Sequence, residues 1–586
     1  MRPDARRSAL LIAVALALLL PVVLSDVRLA VLYAVVVTAI AALALDLLVA
    51  RTGELSLAHA AFLGVGAFTA MNIGGRGASW GFAVLGAVIV TALVTTLVGL
   101  PSLRIRGLQV AIATLAFQEA AERYLFNRED VTAGDKVLGR PTFLASDTRL
   151  YFLALAALGA VLLLRHRVAA TRAGRSFSAV RDIPERAECL GVEPGSTKLL
   201  AYALSGAIVG LAGALLATRE GTIGTAIDPF KLLESLQLVA IAVVGGAGSA
   251  VGILLAAFLV KGLPQLAGGN ALRDWIPIIS AGLLVAAIVA QPRGLGGALT
   301  DLTRRWAPRR RPPPSSDPAP LGEPSRPLGL RLPVPALLRA EDVSVAFDGV
   351  RALDGLTLEV RRGEIVGLIG ANGAGKSTFF NAVSGLVPTT GSIRYRDVEL
   401  VGLAPSRRPA LGTARTFQDM GLVRAETVRE NLLLAQTWMA AYPAAVGIAG
   451  LGPTIRVERE LRRRADAALA IFGLAELVDE RLGDLSYGTM RRVELAAAVA
   501  SGPDLLLLDE ATAGLGPEES HALADVFLRL RDELGLTLVV IEHHVPVIAR
   551  VCDYAYCLES GALIAEGPTL DVTVHPRVVA SFLGTA

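Results

Sequence analysis

Gly370-Ala371-Asn372-Gly373-Ala374-Gly375-Lys376-Ser377-Thr378 follows the pattern G-x-x-x-x-G-K-[ST] in full, with an apolar run at Ile365–Ile369 before it and a helix-like stretch from Phe379 after it. Glycines at these places let backbone N–H groups turn toward phosphate oxygens, where side chains would block the approach. Lys376 then reaches the β and γ phosphates of a nucleotide, and the Ser377 hydroxyl can ligate Mg2+. Downstream, Leu505–Leu508 is an apolar strand that ends in Asp509 and Glu510. A buried strand there delivers Asp509 to the Mg2+ site and places Glu510 to polarise an attacking water. An acid pair at a strand end is ordinarily a solvated turn; following a complete phosphate loop, the hydrolytic reading dominates.

These groups need a scaffold. From about residue 337, β-like runs (Leu356–Val360, Ile365–Ile369, Leu505–Leu508, Leu536–Ile541) alternate with helical patterns, which indicates an α/β domain over 337–586. The preceding half is different. Residues 1–303 are dominated by Ala, Leu, Val and Gly, and they account for much of the 53% hydrophobic content of the 586-residue chain. Apolar segments at 9–24, 28–50, 55–73, 82–100, 108–126, 150–165, 199–218 and 276–291 are candidates to cross a hydrocarbon core. The stretch 232–265, broken by Gly245-Gly246-Ala247-Gly248, reads as two short spans. The expectation is a polytopic α-helical membrane domain of about ten spans, an uncleaved first span included.

Under that reading Arg2/Arg6/Arg7, Arg51, Arg104/Arg106, Arg165–Arg186 and Arg304–Arg311 share one side, while Arg123, Arg128 and Lys136, diluted by Glu129, Asp130 and Asp135, fall on the other. Excess Lys and Arg marks the cytoplasmic side, so the nucleotide domain is expected in the cytoplasm of a cell-membrane protein. Residues 304–336, with Arg309–Arg311 followed by Pro312–Pro314 and more Ser, Pro and Gly, read as a semi-extended tether whose arginines contact anionic lipid. The net charge of +3 gives no argument for nucleic acid, and three cysteines, Cys189, Cys552 and Cys557, make no disulfide framework or Cys-rich metal site. Asp46, Glu54, His59, Gln118, Glu119, Glu234 and Lys261 are ionisable or polar groups within apolar segments. They are candidates for a solute path, with His59 reading rather as a helix-packing hydrogen bonder.

Further motifs carry a family resemblance. Arg415-Thr416-Phe417-Gln418 resembles the glutamine loop of ATP-binding cassette (ABC) proteins, Leu485-Ser486-Tyr487-Gly488-Thr489 their signature motif, Ile541-Glu542-His543 their switch histidine, and Ala346-Phe347 the aromatic that stacks on adenine. The resemblance implies a P-loop NTPase domain of the ABC type, in which ATP is sandwiched between the phosphate loop of one cassette and Ser486 and Gly488 of another. It implies that Gln418 couples Mg2+ to the permease, and that His543 contacts the γ-phosphate. Thr489 stands where that family usually has Gln, and His544 where the subfamily usually has Asp, so altered coupling rather than lost hydrolysis is expected.

The cassette is most similar to those of branched-chain amino acid importers: Tyr487 in the signature, Ala511-Thr512-Ala513-Gly514-Leu515 after Glu510, and the tail His575–Gly584 look like that subfamily. The membrane half resembles the second permease of the same importers at Thr52–Phe62 (with Glu54 in place of a usual Gln), Leu103–Leu108, Ala113–Phe117, Val244–Ser249 and Pro292–Leu295. The resemblance implies a permease and a cassette in one polypeptide that uses ATP and Mg2+ to import leucine, isoleucine, valine or a related solute. Its implied partners are an extracytoplasmic solute-binding protein and either a second permease and second cassette or a second copy of itself. The loop from Gly174-Arg175 to Val192 is expected to hold a short helix that docks on the cassette through a charged face of Arg181, Asp182, Glu185, Arg186 and Glu188. Urea, amides or aromatic acids are alternative cargoes. A soluble regulatory ATPase is opposed by the apolar half; an exporter and a non-hydrolysing scaffold are weaker readings.

Overall fold

The structure, a computed structural model, describes residues 15–583 apart from 16, 106, 133–137, 222–229, 267–281, 283–293, 299–333 and 348. The chain forms two compact units. One comprises residues 1–170 and 195–311, the other residues 171–194 and 312–586.

In the first unit, four of the described helices are long and apolar enough to cross a bilayer: Asp26–Thr52, Trp80–Leu103, Asp147–Ala169 and Pro194–Glu220. Asp26–Thr52 is largely enclosed by its neighbours. Trp80–Leu103 instead exposes a stripe of Phe82, Leu85, Ile89, Leu93 and Leu97, an outward apolar face at helical spacing that suits hydrocarbon. One expected span comes out shorter, and one stretch divides as expected. The segment 55–73 becomes a helix only from His59 to Gly74, because Gly53 ends the preceding helix in a left-handed conformation (φ 73°). The stretch 232–265 does divide, into Leu232–Gly245 and Ala250–Ala257, the latter continuing through a π turn at Phe258–Gly262. The expected spans 9–24 and 276–291 and the tether 304–336 lie largely outside the described residues.

Irregular backbone among apolar helices must have its polar groups satisfied by protein. Around the 53–58 break the Leu57 N–H donates to Thr114 Oγ1, Ala60 N–H to Ser235 Oγ and Ala61 N–H to Gln118 Oε1. Gln118 also accepts from Ser235 and donates to the Phe230 carbonyl. His59 is buried between the hydroxyls of Ser56 and Ser205, 3.2 and 3.0 Å away.

The remaining solute-path candidates are likewise partnered. Asp46 pairs with Arg165 at 2.6 Å and accepts from the Gly248 N–H. Glu54 pairs with Lys198 at 2.5 Å, Glu234 with Lys261 at 2.7 Å and Glu119 with Arg123 at 2.7 Å. Asp46 and Glu54 are enclosed with their partners, whereas Arg123 is largely exposed beside Glu119.

The helices His59–Gly74 and Pro194–Glu220 approach backbone to backbone. A Cβ on Gly213 would lie 2.3 Å from the Leu63 carbonyl oxygen, and one on Gly66 2.8 Å from Gly210 Cα. Small residues at such crossings permit close van der Waals contact between helices in lipid.

The second unit is built on two sheets. The six-stranded sheet has the order β10-β9-β3-β8-β7-β6, with β3 Ile365–Ile369, β6 Thr413–Arg415, β7 Leu505–Asp509, β8 Thr537–Ile541, β9 Tyr554–Glu559 and β10 Ala562–Pro568. All neighbours but β10 are parallel. Every residue of β3, β7 and β8 is buried, as expected of parallel strands covered on both faces. An antiparallel sheet, β2-β1-β4-β5, is formed by Ala336–Phe347 (β1), Val350–Arg361 (β2), Thr390–Tyr395 (β4) and Val398–Glu399 (β5). The expected strands coincide with parts of β2, β3, β7 and β8, except that Leu536 precedes β8. The helix after the phosphate loop starts at Lys376 rather than Phe379.

Replacing Gly213 by Ala should force the two membrane helices apart, costing about 1–3 kcal/mol by overpacking. The unfolding midpoint of the chain in lipid nanodiscs should fall, whereas Gly159→Ala, where an added Cβ meets nothing within 4 Å, should leave it unchanged.

Candidate functional site

The turn from β3 into the helix Lys376–Ser384 makes the cradle. Gly370 (φ 145°) and Gly375 (φ 101°) hold backbone conformations that L-residues avoid, and a Cβ at Gly370 would stand 2.2 Å from the Leu558 carbonyl oxygen. Gly373 (φ 82°) faces open space. Lys376 is buried, its Nζ donating to the carbonyls of Gly370 (2.7 Å) and Ala371 (2.8 Å). Burial lowers its pKa, opposed by the negative carboxylates Glu510 and Asp509.

Loop residues 372–378 and the side chains of Gln418, Glu510 and His543 line one cleft of about 360 Å³. Glu510 is the focus. Its carboxylate accepts from Gln418 Nε2 through one oxygen and meets His543 Nε2 at the other, both at 2.9 Å. Its backbone lies in the left-handed region (φ 48°), and its N–H donates to the Ile541 carbonyl. Asp509, one residue earlier and buried, has Oδ1 3.5 Å from the Ser377 hydroxyl. A hydroxyl and a carboxylate oxygen so placed, with the Gln418 amide in the same cleft, are the hard oxygen donors that suit Mg2+. Glu542, ahead of His543, is buried; desolvation raises its pKa, and it accepts from the N–H and hydroxyl of Thr512.

Five residues expected at the site are not among those lining the cleft: Gly370 and Asp509, placed as described above, and Phe347, Ser486 and Gly488. Phe347 ends β1, half-exposed. Ser486 caps the helix Tyr487–Ala500, its Oγ accepting from the Thr489 N–H and lying 2.9 Å from the Thr489 hydroxyl. Gly488 lies on that same helix. The unexpected Thr489 thus adds a second contact to its own cap.

The structure adds residues whose roles the sequence reading did not assign. The buried Arg415 guanidinium donates to Asp509 Oδ2 (2.8 Å) and Asn381 Oδ1 (2.7 Å) and lies over the rings of Phe417 and Phe380. Arg491 and Glu494 form a 2.6 Å pair inside the unit. A usable signal existed for the second pair: Glu494 stands three residues after Arg491, at helical spacing, immediately before the apolar run Leu495–Ala500.

Residues 171–194 belong to this same unit. Their helix Arg172–Asp182 buries Ala179 and Val180, and these join Ile183, Ala187 and Val192 in one apolar cluster with Val423 and Leu434. Arg175 forks onto Glu458 at 2.9 and 2.7 Å, and the Tyr442 hydroxyl donates to the same carboxylate. Ser178 donates to Glu426. Of the anticipated charged face, Arg181 and Asp182 bond each other, while Arg186 donates to the carbonyls of Asp419 and Met420 and covers the Phe417 ring. The docking helix expected from the sequence is present, and its strongest polar contact is the buried Arg175 rather than the exposed charges.

A nucleotide-binding cleft on a parallel sheet, in a chain whose other unit is a bundle of apolar helices, defines an ATP-driven membrane transporter. Residues 27–288 match the family model described as the permease component of the branched-chain amino acid transport system, and residues 353–513 the model described as ABC transporter. The chain is 36% identical over 251 residues to the high-affinity branched-chain amino acid transport ATP-binding protein LivG of Salmonella typhimurium, a match covering 43% of this chain and 98% of that protein. It is 34% identical over the same length to BraF of Pseudomonas aeruginosa, which carries the corresponding description. A crystal structure of the ADP conformation of an ATP-binding cassette of an ABC transporter aligns over 43% of this chain and all of its own, at 30% identity and a TM-score of 0.38. This chain belongs to the ABC transporter family and joins a permease to an ATP-hydrolysing cassette in one polypeptide.

Glu458→Ala would leave Arg175 buried without its counter-charge, a loss of about 3–5 kcal/mol. We expect a lower unfolding midpoint for the cassette in thermal scans. The double substitution Arg175→Met, Glu458→Met, which removes both charges, should recover most of the difference.

Proposed function

We propose that this chain is the fused permease and ATPase subunit of an importer that carries branched-chain amino acids across the cytoplasmic membrane. Residues 1–303 act as the permease, 304–336 as a tether and 337–586 as the cassette on the cytoplasmic side. The observation that carries the hydrolytic reading is the convergence of Gln418 and His543 on Glu510 above the phosphate loop. The cargo is supported by the permease match and by the transport role printed for LivG and BraF.

In this mechanism the backbone of 370–375 and the N-terminus of the helix Lys376–Ser384 receive the triphosphate, where free N–H groups and the helix dipole favour anions. Lys376 moves from the Gly370 and Ala371 carbonyls onto the β and γ phosphates. Ser377, Asp509 and Gln418 would hold Mg2+, which supplies charge neutralisation to the phosphates when bound. Glu510 accepts the proton of the water that attacks the γ-phosphorus; the bond to the β–γ bridging oxygen breaks, leaving ADP and inorganic phosphate. His543 orients the γ-phosphate and the Glu510 carboxylate together. Phe347 stacks on the adenine, and Ser486 and Gly488 serve the nucleotide of an opposing cassette, supplied by a second copy or by a separate ATPase subunit. Residues 171–194 transmit cassette movement to the permease, and an extracytoplasmic solute-binding protein delivers the amino acid.

The test is reconstitution into proteoliposomes with companion subunits and measurement of both ATP turnover and uptake of radiolabelled leucine. Glu510→Gln in every cassette present should reduce turnover by on the order of 100-fold or more while ATP still binds, and uptake should stop with it. Normal turnover in that variant would remove Glu510 from the base role; ATP turnover without leucine, isoleucine or valine accumulation would remove the cargo assignment.

A further inference from the structure

Two residues beside the hydrolytic cleft hold backbone conformations that side chains rarely adopt: Glu510, at φ 48°, and Met420, at φ 35°, two residues beyond Gln418. A residue in this region is strained and stays there only where its surroundings over-determine it. Both positions lie beside backbone groups held by one buried ion pair. Arg491 and Glu494 sit one turn apart on the helix Tyr487–Ala500, their side chains only 1% and 5% exposed, and join at 2.6 Å. Neither touches the cleft.

Their further hydrogen bonds go to the two catalytic segments. Arg491 Nη1 donates to the Phe417 carbonyl (2.7 Å), and Nη2 donates to the carbonyls of Gln418 (3.1 Å) and Glu510 (3.2 Å). The other Glu494 oxygen accepts from the N–H groups of Phe417 (3.1 Å) and Gly421 (2.9 Å). The pair therefore brackets the 417–421 loop from both ends and binds the same loop to the main chain of Glu510. The carboxylate of Glu510 and the amide of Gln418 then meet at 2.9 Å on the cleft side.

An ion pair taken out of water costs more than its mutual attraction repays unless further hydrogen bonds complete it. Here the completing bonds go to the backbone of the residues that face the phosphate loop. A planar guanidinium can serve several carbonyls at fixed angles; an ammonium on a flexible stem cannot reproduce that fork.

We infer that Arg491, locked by Glu494, is a positioning residue for ATP hydrolysis: it holds the main chains of Gln418 and Glu510 together so that their side chains converge over the phosphate loop. The inference rests on the reading of Glu510 as the base. Arg491 acts through the backbone and leaves the phosphate-binding surface, made by 370–378, unaltered.

The experiment uses the full chain in proteoliposomes with its companion subunits. Arg491→Lys keeps a cation beside Glu494 and loses the fork. Its kcat should fall on the order of 10- to 100-fold, since small misplacement of catalytic groups has that effect. KM for ATP and the dissociation constant of a fluorescent ATP analogue should stay within about twofold, because the phosphate cradle does not include Arg491. Glu494→Gln, which can still accept from both N–H groups but gives Arg491 no counter-charge, should lower kcat by a smaller factor. A kcat for Arg491→Lys within twofold of the parent would overturn the inference. So would a parallel loss of kcat, nucleotide affinity and unfolding midpoint, which would mark Arg491 as a general support of the fold. Glu510→Gln is measured alongside: if that variant turns over normally, the base assignment fails, whatever Arg491→Lys shows. If it is inactive and Arg491→Lys is unimpaired, the positioning role alone fails.

Discussion

A charge removed from water must meet its opposite within hydrogen-bonding distance, and much of this molecule is arranged around that demand. Asp46–Arg165 and Glu54–Lys198 satisfy it within the apolar bundle. Arg175–Glu458, Arg415–Asp509 and Arg491–Glu494 satisfy it in the cassette unit. The effective cost of burying each ion is several kcal/mol, so such pairs are weak sources of net stability and strong sources of specificity of contact, because either partner alone is worse than neither. Most of them join segments far apart in sequence. The two nearest the cleft hold the backbone and carboxylate groups on which hydrolysis would depend.

The site is also a product of strand order. Reading across the parallel sheet, β3 delivers the phosphate loop, β8 delivers His543, β7 delivers Asp509 and Glu510, and β6 leads into Gln418. These four strands are consecutive neighbours, so their carboxyl ends bring four sequence-distant motifs to one edge. That is the general place for ligands on open parallel sheets. The sheet needs no side chain of its own in the cleft; burial of every residue in β3, β7 and β8 fixes the edge against which the loops are set.

What could be read from the sequence follows from where the physical constraint is local. The phosphate loop demands glycine and lysine at set intervals, and the strands beside it demand unbroken apolar runs, so Lys376, Ser377, Asp509 and Glu510 could be placed along with the α/β class, whereas Gln418 and His543 were read only through the family resemblance. Helix ends among the apolar segments were less so: the break at 53–58 depends on Gly53 and on side-chain partners from Thr114, Gln118 and Ser235. The buried pairs were least legible. Arg175 and Glu458 are 283 residues apart, and each alone looks like an ordinary surface charge; only the fold makes them neighbours. His59 read correctly as a packing hydrogen bonder because a helix interior offers it two serine hydroxyls.

The segment 171–194 leaves the first unit after Ala170 and returns to it at Gly195, yet it completes the surface of the second. Relatives such as LivG are matched over 98% of their length by the cassette region alone, so this segment is no part of them. Here segment and cassette share one backbone, so their encounter is intramolecular and its effective concentration is set by chain length rather than by expression level. A cassette separated from residues 171–194 would therefore be structurally incomplete: Val423 and Leu434 would be uncovered, and the carboxylate of Glu458 would be stripped of its arginine. Such a fragment would carry a sticky apolar scar where the intact polypeptide has an interior.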